Sequence, residues 1–253
     1  FEFRMLGSSN SIACANIMLN AAVAESLKRY ADQLEKADDF ESALHDMIRQ
    51  VIKDHKRIIF NGNGYDESWI REATEQRGLL NLRTTPDALP TILEKKNVDM
   101  LTTHKVFSVA EIQSRYEITL ENYCKSVNIE ALTMVDMARK EILPAVEAYV
   151  RDLSDTLHAK KAAVPGAAAK YETGLITRLS ALTDEIDDAA AALERAMIQY
   201  KAIGDITEAA NMIRDVILQK MAELRVPCDE AETLTAEKYW PFPTYGDLLF
   251  GVR

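Results

Sequence analysis

The feature that most constrains this chain is helical periodicity between Asn128 and Arg225. Apolar residues recur there at steps of three and four, which places them along one face of an α-helix. Pro165-Gly166 interrupts the pattern once, and Gly204-Asp205 interrupts it again. Because Pro and Gly break helices and both connections are short, the pattern predicts a long antiparallel helical hairpin and a third helix packed on it as a three-helix bundle.

Each of these helices is predicted to bury a single apolar stripe. The first stripe begins at Leu132, and Pro144 within that helix predicts a kink or a helix boundary. Thr183 falls off the second stripe and is expected on the exposed face. After Pro227 the chain is predicted to become irregular. The second stripe comprises Leu175, Leu179, Leu182, Ile186, Ala189, Leu193, Ala196 and Tyr200.

Composition excludes several classes of function. Thirty Lys and Arg against 40 Asp and Glu give a net charge of −10, which argues against nucleic acid and anionic membranes as partners. Three widely spaced cysteines and four scattered histidines show no metal-type spacing, so we expect cytoplasmic thiols and no metal centre within the bundle. No signal peptide and no apolar run of ~18 residues is present, so no membrane segment is expected.

The first residues have the pattern of a short strand. Apolar and charged residues alternate from Phe1 to Met5, with Glu2 and Arg4 on one face, about 7 Å apart. Such a pair either addresses one polar site or forms a solvated ion pair on an edge strand. Because the chain begins without Met and within this pattern, we expect that Phe1 is not a natural start.

Helices and caps are predicted between this strand and the bundle. Helical periodicity follows from Ile12 to Leu34, and Ser108 with Glu111 forms a capping box for a further helix. Thr85 is predicted to cap the helix that begins at Pro86. The glycine-rich turn Asn61–Tyr65 could cradle phosphate, although a plain loop is favoured because no Lys or strand-helix fingerprint accompanies it. The predicted fold is mainly α, with one short N-terminal strand.

Several stretches resemble one enzyme family. The opening strand and the small-residue helix after it are similar to the end of the catalytic domain of type III glutamine synthetase. Further stretches similar to that family are Asn61–Tyr65, Arg77–Leu82, Thr84–Leu89, Ser114–Glu117, Glu121–Tyr123, Met134–Ala138 and Tyr239–Phe250. With this resemblance, we predict the end of the catalytic domain and its following helices at 1–127, a helical arm at 128–225 and an aromatic, Pro-rich tail docked on the fold at 226–253.

The resemblance implies roles for the two polar residues of the strand. In that family the strand carries a carboxylate that binds a divalent metal and an Arg that binds glutamate, which correspond by position to Glu2 and Arg4. Oxygen ligands suit Mg²⁺ or Mn²⁺, and a guanidinium suits a carboxylate or acyl-phosphate. The family uses ATP as cosubstrate to phosphorylate glutamate, and ammonia then displaces the phosphate.

The resemblance also implies partners and a limit on activity. A preceding catalytic domain and neighbouring subunits of a ring-shaped homo-oligomer are the expected partners, with glutamate, ammonia and ATP as substrates. This chain by itself is predicted to be inactive, because one carboxylate and one Arg supply no complete site. The alternative is a free-standing helical interaction module without catalysis, in which Glu2 and Arg4 are ordinary surface residues.

Overall fold

A computed structural model describes residues 11–251, and all regular structure among them is helical. The chain forms two compact units, residues 1–118 and 119–253. The predicted strand at Phe1–Met5 lies outside the described residues. The first unit contains α1 (Ile12–Leu34), α2 (Phe40–His55), α3 (Glu67–Arg71), α4 (Thr85–Ala88), α5 (Lys95–Thr103) and the beginning of α6 (Val109–Met137).

Local capping hydrogen bonds start most of the helices of the first unit. Ser108 and Glu111 form the predicted capping box, in which the Ser108 N–H donates to the Glu111 carboxylate at 2.7 Å. Thr84, and not Thr85, caps α4, so the predicted start was wrong by one residue. The reason is geometric: the Thr84 hydroxyl reaches the N–H of Asp87, while Pro86 tolerates either of the first two helical positions because it has no N–H to satisfy.

The core of the first unit is small. Ala21, Leu101 and Ile112 are fully or nearly fully buried and bring together α1, α5 and the start of α6. Several apolar side chains pack partly buried against them: Met18, Ile92, Leu93, Val98, Met100, Val106 and Phe107. Much of the remaining apolar surface of this unit is exposed.

The second unit is built on the predicted hairpin. It contains the rest of α6, α7 (Leu143–Ala163) and α8 (Lys170–Lys201). The third helical stretch consists of α9 (Ile206–Met212), a π-helical segment (Ile213–Ile217) and α10 (Leu218–Leu234). Lys160 near the end of α7 pairs with Glu172 near the start of α8, while Arg139 just before α7 pairs with Glu194 near the end of α8, each at 2.6 Å. These two ion pairs confirm that the hairpin is antiparallel.

The buried face of α8 is broader than one stripe. Leu179, Leu182, Ile186, Leu193 and others are buried as predicted, but Thr183 is also buried, at 9% exposure, so its predicted position was wrong. Because α7 and α10 both pack on α8, more than one face is covered. The Thr183 hydroxyl donates to the Ser180 carbonyl at 2.8 Å, which satisfies the polar group inside its own helix.

The buried face of α6 includes Val135, as predicted, but not Leu132, where the predicted stripe begins. Leu132 is exposed, whereas Ala131 is completely buried. Steps of three and four connect Cys124, Val127, Ala131 and Val135, and these are the side chains turned inward. A small residue therefore occupies the interior position that the sequence pattern assigned to the neighbouring leucine.

Two prolines have different effects on the helices. The segment before Pro144 is π-helical from Ala138 to Ile142 and α7 begins directly after it, which confirms the predicted boundary. Pro227, in contrast, lies inside α10, which continues to Leu234, so the predicted loss of helix there was wrong. Tertiary packing explains the difference, because Pro227 is itself buried and Arg178 of α8 binds Glu230 at 2.5 and 2.6 Å.

The C-terminal segment contacts α7 before it forms α11 (Tyr245–Phe250). The ring centres of Tyr149 and Tyr239 are 5.1 Å apart, and the Tyr239 hydroxyl donates to the Asp152 carboxylate. Lys238 lies 3.3 Å from the same carboxylate. Burial and the neighbouring Tyr171 raise the pKa of Tyr149 to about 12, which keeps its hydroxyl protonated.

The predicted boundaries of the helical arm, after residues 127 and 225, stay a prediction. No described helix is long and apolar enough to cross a membrane.

Candidate functional site

The two residues assigned to catalysis, Glu2 and Arg4, lie outside the described residues. Their roles therefore stay predictions from the family resemblance. Among residues 11–251, no cluster of three or more His, Cys, Asp or Glu side chains has the geometry to hold a metal ion.

The best-organised polar constellation lies between α2 and α4, in stretches that carry the family resemblance. Phe60 stacks on Trp69 with ring centres 3.7 Å apart and planes inclined by 15°. The guanidinium carbon of Arg77 lies 4.8 Å from the centre of the Trp69 ring, which is cation–π geometry. We call this set, Phe60, Trp69 and Arg77, the Arg77 clamp.

Hydrogen bonds fix the guanidinium at the centre of the clamp. Arg77 donates to the Glu72 carboxylate at 2.8 and 2.6 Å, and to the carbonyls of Arg57 and Ile59 at 3.2 and 2.8 Å. Its side chain is only 25% exposed. One planar fork thus ties the chain after α2 to the short helical segment that follows the Asn61–Tyr65 loop, a role for which arginine is better suited than lysine.

Two positions in and beside the clamp require glycine. Gly78 has φ of +63°, a left-handed conformation that favours glycine. A Cβ at Gly62 would lie 2.7 Å from the Phe60 ring, closer than side chains approach one another. The stack on Trp69 keeps that ring in place, so a side chain at position 62 would disturb the clamp.

The Asn61–Tyr65 loop does not have the character of a phosphate cradle. Asp66 accepts a hydrogen bond from the Ser68 N–H at 2.8 Å and so occupies the N-terminus of α3. Hydrogen bonds from Ser68 lower the pKa of the Asp66 carboxyl, so a negative charge sits where a phosphate would bind. The favoured interpretation of a plain loop agrees with this geometry.

The clamp borders an apolar groove with a positive rim. Ile52 and Ile59 contribute apolar surface, while Lys56, Arg57 and Arg77 contribute cationic groups, around a volume of 520 Å³. Further large apolar side chains are exposed in the same unit: Ile48, Ile58, Tyr65, Leu80 and Leu82. Such an accumulation of exposed apolar surface is typical of an interaction site.

Two cysteines, Cys124 and Cys228, and one histidine, His104, have structural roles. Burial raises the pKa of Cys124, and it raises that of Cys228 to about 11, so neither is an activated thiolate. His104 lies 2.9 Å from Glu25 and connects α5 to α1. Hydrogen bonds from His104 and Arg29 lower the pKa of Glu25.

Sequence reasoning missed the Arg77 clamp as a unit. Arg77-Gly78 was recognised as similar to the family, but no role followed from it. A signal was present: an Arg, a Trp and a Phe within one polar, glycine-rich stretch have few ways to bury their apolar surfaces except against one another. Their pairing across the loop, however, depends on tertiary structure.

Comparisons with known proteins show which family this chain resembles. Residues 43–161 match the family described as glutamine synthetase C-terminal domain. The chain is 38% identical over 216 residues to a glutamine synthetase of Butyrivibrio fibrisolvens, covering 85% of this chain and 31% of that protein. It is 29% identical over 257 residues to a type-3 glutamine synthetase of Dictyostelium discoideum, covering 99% and 35%.

A third relative has a similar relationship. The chain is 28% identical over 261 residues to a glutamine synthetase of Bacteroides fragilis strain YCH46, covering 99% of this chain and 35% of that protein. This chain therefore spans about a third of the length of the relatives it matches. The resemblance predicted from the sequence is confirmed.

Proposed function

We propose that this chain belongs to the glutamine synthetase family and is the C-terminal portion of a type III enzyme. The proposed reaction is the ATP-dependent ligation of ammonia to glutamate through an acyl-phosphate. The observation that carries the proposal is the family-domain match at 43–161, together with similarity to named glutamine synthetases over most of this chain.

Within this proposal, the opening residues supply two groups to the active site. Glu2 would hold an active-site Mg²⁺ or Mn²⁺ through its carboxylate oxygens, which are the ligands that hard cations prefer. The cation would neutralise charge that develops on the phosphoryl oxygens. Arg4 would bind the glutamate carboxylate with its planar fork and orient it for attack on ATP.

Kinetics of the longer protein that includes this chain test the two assignments separately. Glu2→Gln keeps the size of the side chain and removes its charge, so activity should fall steeply and the residual activity should need more Mg²⁺ or Mn²⁺. Arg4→Lys keeps the charge but loses the fork, so the glutamate KM or kcat should worsen while metal dependence stays nearly normal. Near-wild-type profiles for both variants would overturn the assignments and favour the helical interaction module.

The partners we propose are the preceding catalytic domain and neighbouring subunits of a ring-shaped oligomer in the cytoplasm. The groove beside the Arg77 clamp supports a role in such contacts, because it combines exposed apolar surface with cationic groups in a chain of net charge −10. The arm formed by α7 and α8 is a second candidate surface, with Ile198 exposed near one end of the hairpin.

This chain by itself is proposed to make no glutamine. Phosphoryl transfer depends on metals and nucleotide contacts that one carboxylate and one guanidinium do not supply. An ATP- and ammonia-dependent assay of the purified 253-residue chain checks this, and glutamine formation that Glu2→Gln abolishes would contradict it.

A further inference from the structure

A cavity of 560 Å³ lies at the C-terminal end of the second unit, between the last turn of α10 and α11. Its volume falls within the ~300–1,000 Å³ typical of small-molecule sites. The side chains that matter here are Glu232, Thr235, Glu237, Trp240, Phe242 and Asp247. None of them belongs to the proposed catalytic residues, so the inference below does not depend on the proposed function.

Backbone hydrogen bonds hold the lining in place. The Thr235 N–H donates to the Ala231 carbonyl at 2.9 Å and ends α10. A further bond at 3.1 Å, from the Trp240 N–H to the Glu237 carbonyl, closes the turn that follows. Glu237 and Trp240 therefore stand at the two ends of one hydrogen-bonded turn, which is a preorganised arrangement.

The cavity also has an unsatisfied polar group. Thr235 is only 7% exposed, and its hydroxyl oxygen has no hydrogen-bond partner among the described residues. Buried hydroxyl groups in folded proteins are nearly always paired, because a lost hydrogen bond to water must be replaced. A ligand that donates a hydrogen bond to this oxygen would satisfy it.

The charge of the lining is negative. Glu232 and Glu237 contribute carboxylates, and Asp247 is held anionic because hydrogen bonds from Thr244 lower the pKa of its carboxyl. Lys238 also lines the cavity, and its ammonium lies 3.3 Å from Asp152, so three carboxylates of the lining stand against one cation. The field inside the cavity therefore favours a cation.

An aromatic pair determines which cation fits. Trp240 and Phe242 meet edge to face, with ring centres 6.1 Å apart and planes at 76°. The face of a tryptophan attracts cations, and guanidinium is planar and weakly hydrated, so it stacks there more readily than ammonium. A guanidinium also presents several N–H donors at once for carboxylates and for a hydroxyl.

We propose that this cavity binds a guanidinium group on an apolar stem, the chemistry of an arginine side chain. The planar group stacks on Trp240, its N–H groups donate to Glu232, Glu237 and the Thr235 hydroxyl, and its stem lies along Phe242. Free arginine and an arginine within a peptide chain both carry this group, and free arginine has the same net charge as capped arginine because its α-ammonium offsets its α-carboxylate.

The two tryptophans provide a direct test, because Trp240 lies in the cavity and Trp69 in the Arg77 clamp of the other unit. The uniformly ¹⁵N-labelled 253-residue chain is titrated with N-acetyl-arginine N-methylamide, up to about 20 mM so that millimolar dissociation constants are measurable. We expect the indole signal of Trp240 to shift and saturate while that of Trp69 stays in place. The citrulline analogue, a neutral isostere of the same shape, should produce no saturable shift.

Variants assign the binding groups. Glu232→Gln and Glu237→Gln should each weaken binding about two- to fivefold, because they remove partly exposed ion pairs, and raised salt should weaken it further. Thr235→Val keeps the shape of the side chain and should also weaken binding. Glu223→Gln, at an exposed position of α10 outside the cavity, is the matched control and should change nothing.

Each possible result either supports the proposal or overturns it. Equal binding of the citrulline analogue, equal shifts of both indole signals, or unchanged affinity in the Glu232→Gln/Glu237→Gln double variant would each overturn the proposal, as would the absence of any saturable shift. Tighter binding of capped than of free arginine supports a peptide-borne arginine as the ligand, and tighter binding of free arginine supports the free amino acid.

Discussion

Replacing Arg77 with methionine tests whether the clamp holds the chain around the Asn61–Tyr65 loop. Methionine keeps an apolar stem of similar length but loses every N–H donor. The lost contacts are the pair with Glu72, the hydrogen bonds to the carbonyls of Arg57 and Ile59, and the cation–π contact with Trp69.

The size of the effect follows from these contacts. The ion pair is partly exposed, so it is worth about 0.2–1 kcal/mol. The two bonds to carbonyls add about 1 kcal/mol each, and the cation–π contact adds about 0.5–1 kcal/mol. Arg77→Met should therefore cost about 3–4 kcal/mol of local stability, which raises the population of opened loop roughly 100- to 1,000-fold.

Amide hydrogen exchange measures this opening residue by residue. The informative N–H groups are those of Ile59, Arg77 and Leu79, because each donates a backbone hydrogen bond next to the clamp. We expect their protection to fall in Arg77→Met and to fall less in Arg77→Lys, which keeps the charge but not the fork. Amides of α8, in the other unit, should exchange as before.

A matched control is available a few residues away. Arg83 is exposed, and Arg83→Met removes the same charge without touching the clamp. Protection near the clamp should stay normal in this control. If Arg77→Met and Arg83→Met exchange alike at those amides, the clamp contributes no local stability and the reasoning from its geometry is incorrect.

Two further predictions concern the second unit. Ile186→Asp places a carboxylate at a fully buried position of α8 and should destabilise the unit by more than about 3 kcal/mol, whereas Ala181→Asp, at an exposed position of the same helix, should have little effect. Thermal unfolding followed by circular dichroism measures both, and equal midpoints would contradict the observed register. The hydrogen bond from Lys160 lowers the pKa of the Glu172 carboxyl, so its stabilisation is complete above the unfolded pKa of about 4.3 and is lost as pH falls through the folded value. Glu172→Gln should therefore flatten the decline in stability below about pH 4.3, and an unchanged pH profile would count against this pair.

Features encoded by neighbouring residues could be predicted from the sequence. The capping box of Ser108 and Glu111 and the break at Pro165-Gly166 each depend on hydrogen bonds or backbone restrictions within a few residues. The antiparallel hairpin followed because a short connection leaves two long apolar faces few other ways to be buried.

Features decided by packing could not be predicted in the same way. Thr183 is polar and off the stripe, yet it is buried because helices cover α8 on more than one face. Pro227 normally ends a helix, but α10 continues because burial and the Arg178–Glu230 pair outweigh the lost hydrogen bond. In both cases a contact with a distant part of the chain overrides the local preference.

The Arg77 clamp shows why the structure around the Asn61–Tyr65 loop was harder to predict than the arm. The arm buries its apolar residues within the second unit, so its periodicity is sufficient to identify it. The clamp instead uses hydrogen bonds and aromatic stacking to hold a segment whose side chains, such as Ile59 and Tyr65, remain exposed. A segment that gains little from burying its own apolar surface has no periodic pattern, so polar contacts must hold it in shape. That is the expected design for a surface that another protein segment covers, since a preorganised loop loses less conformational entropy on binding.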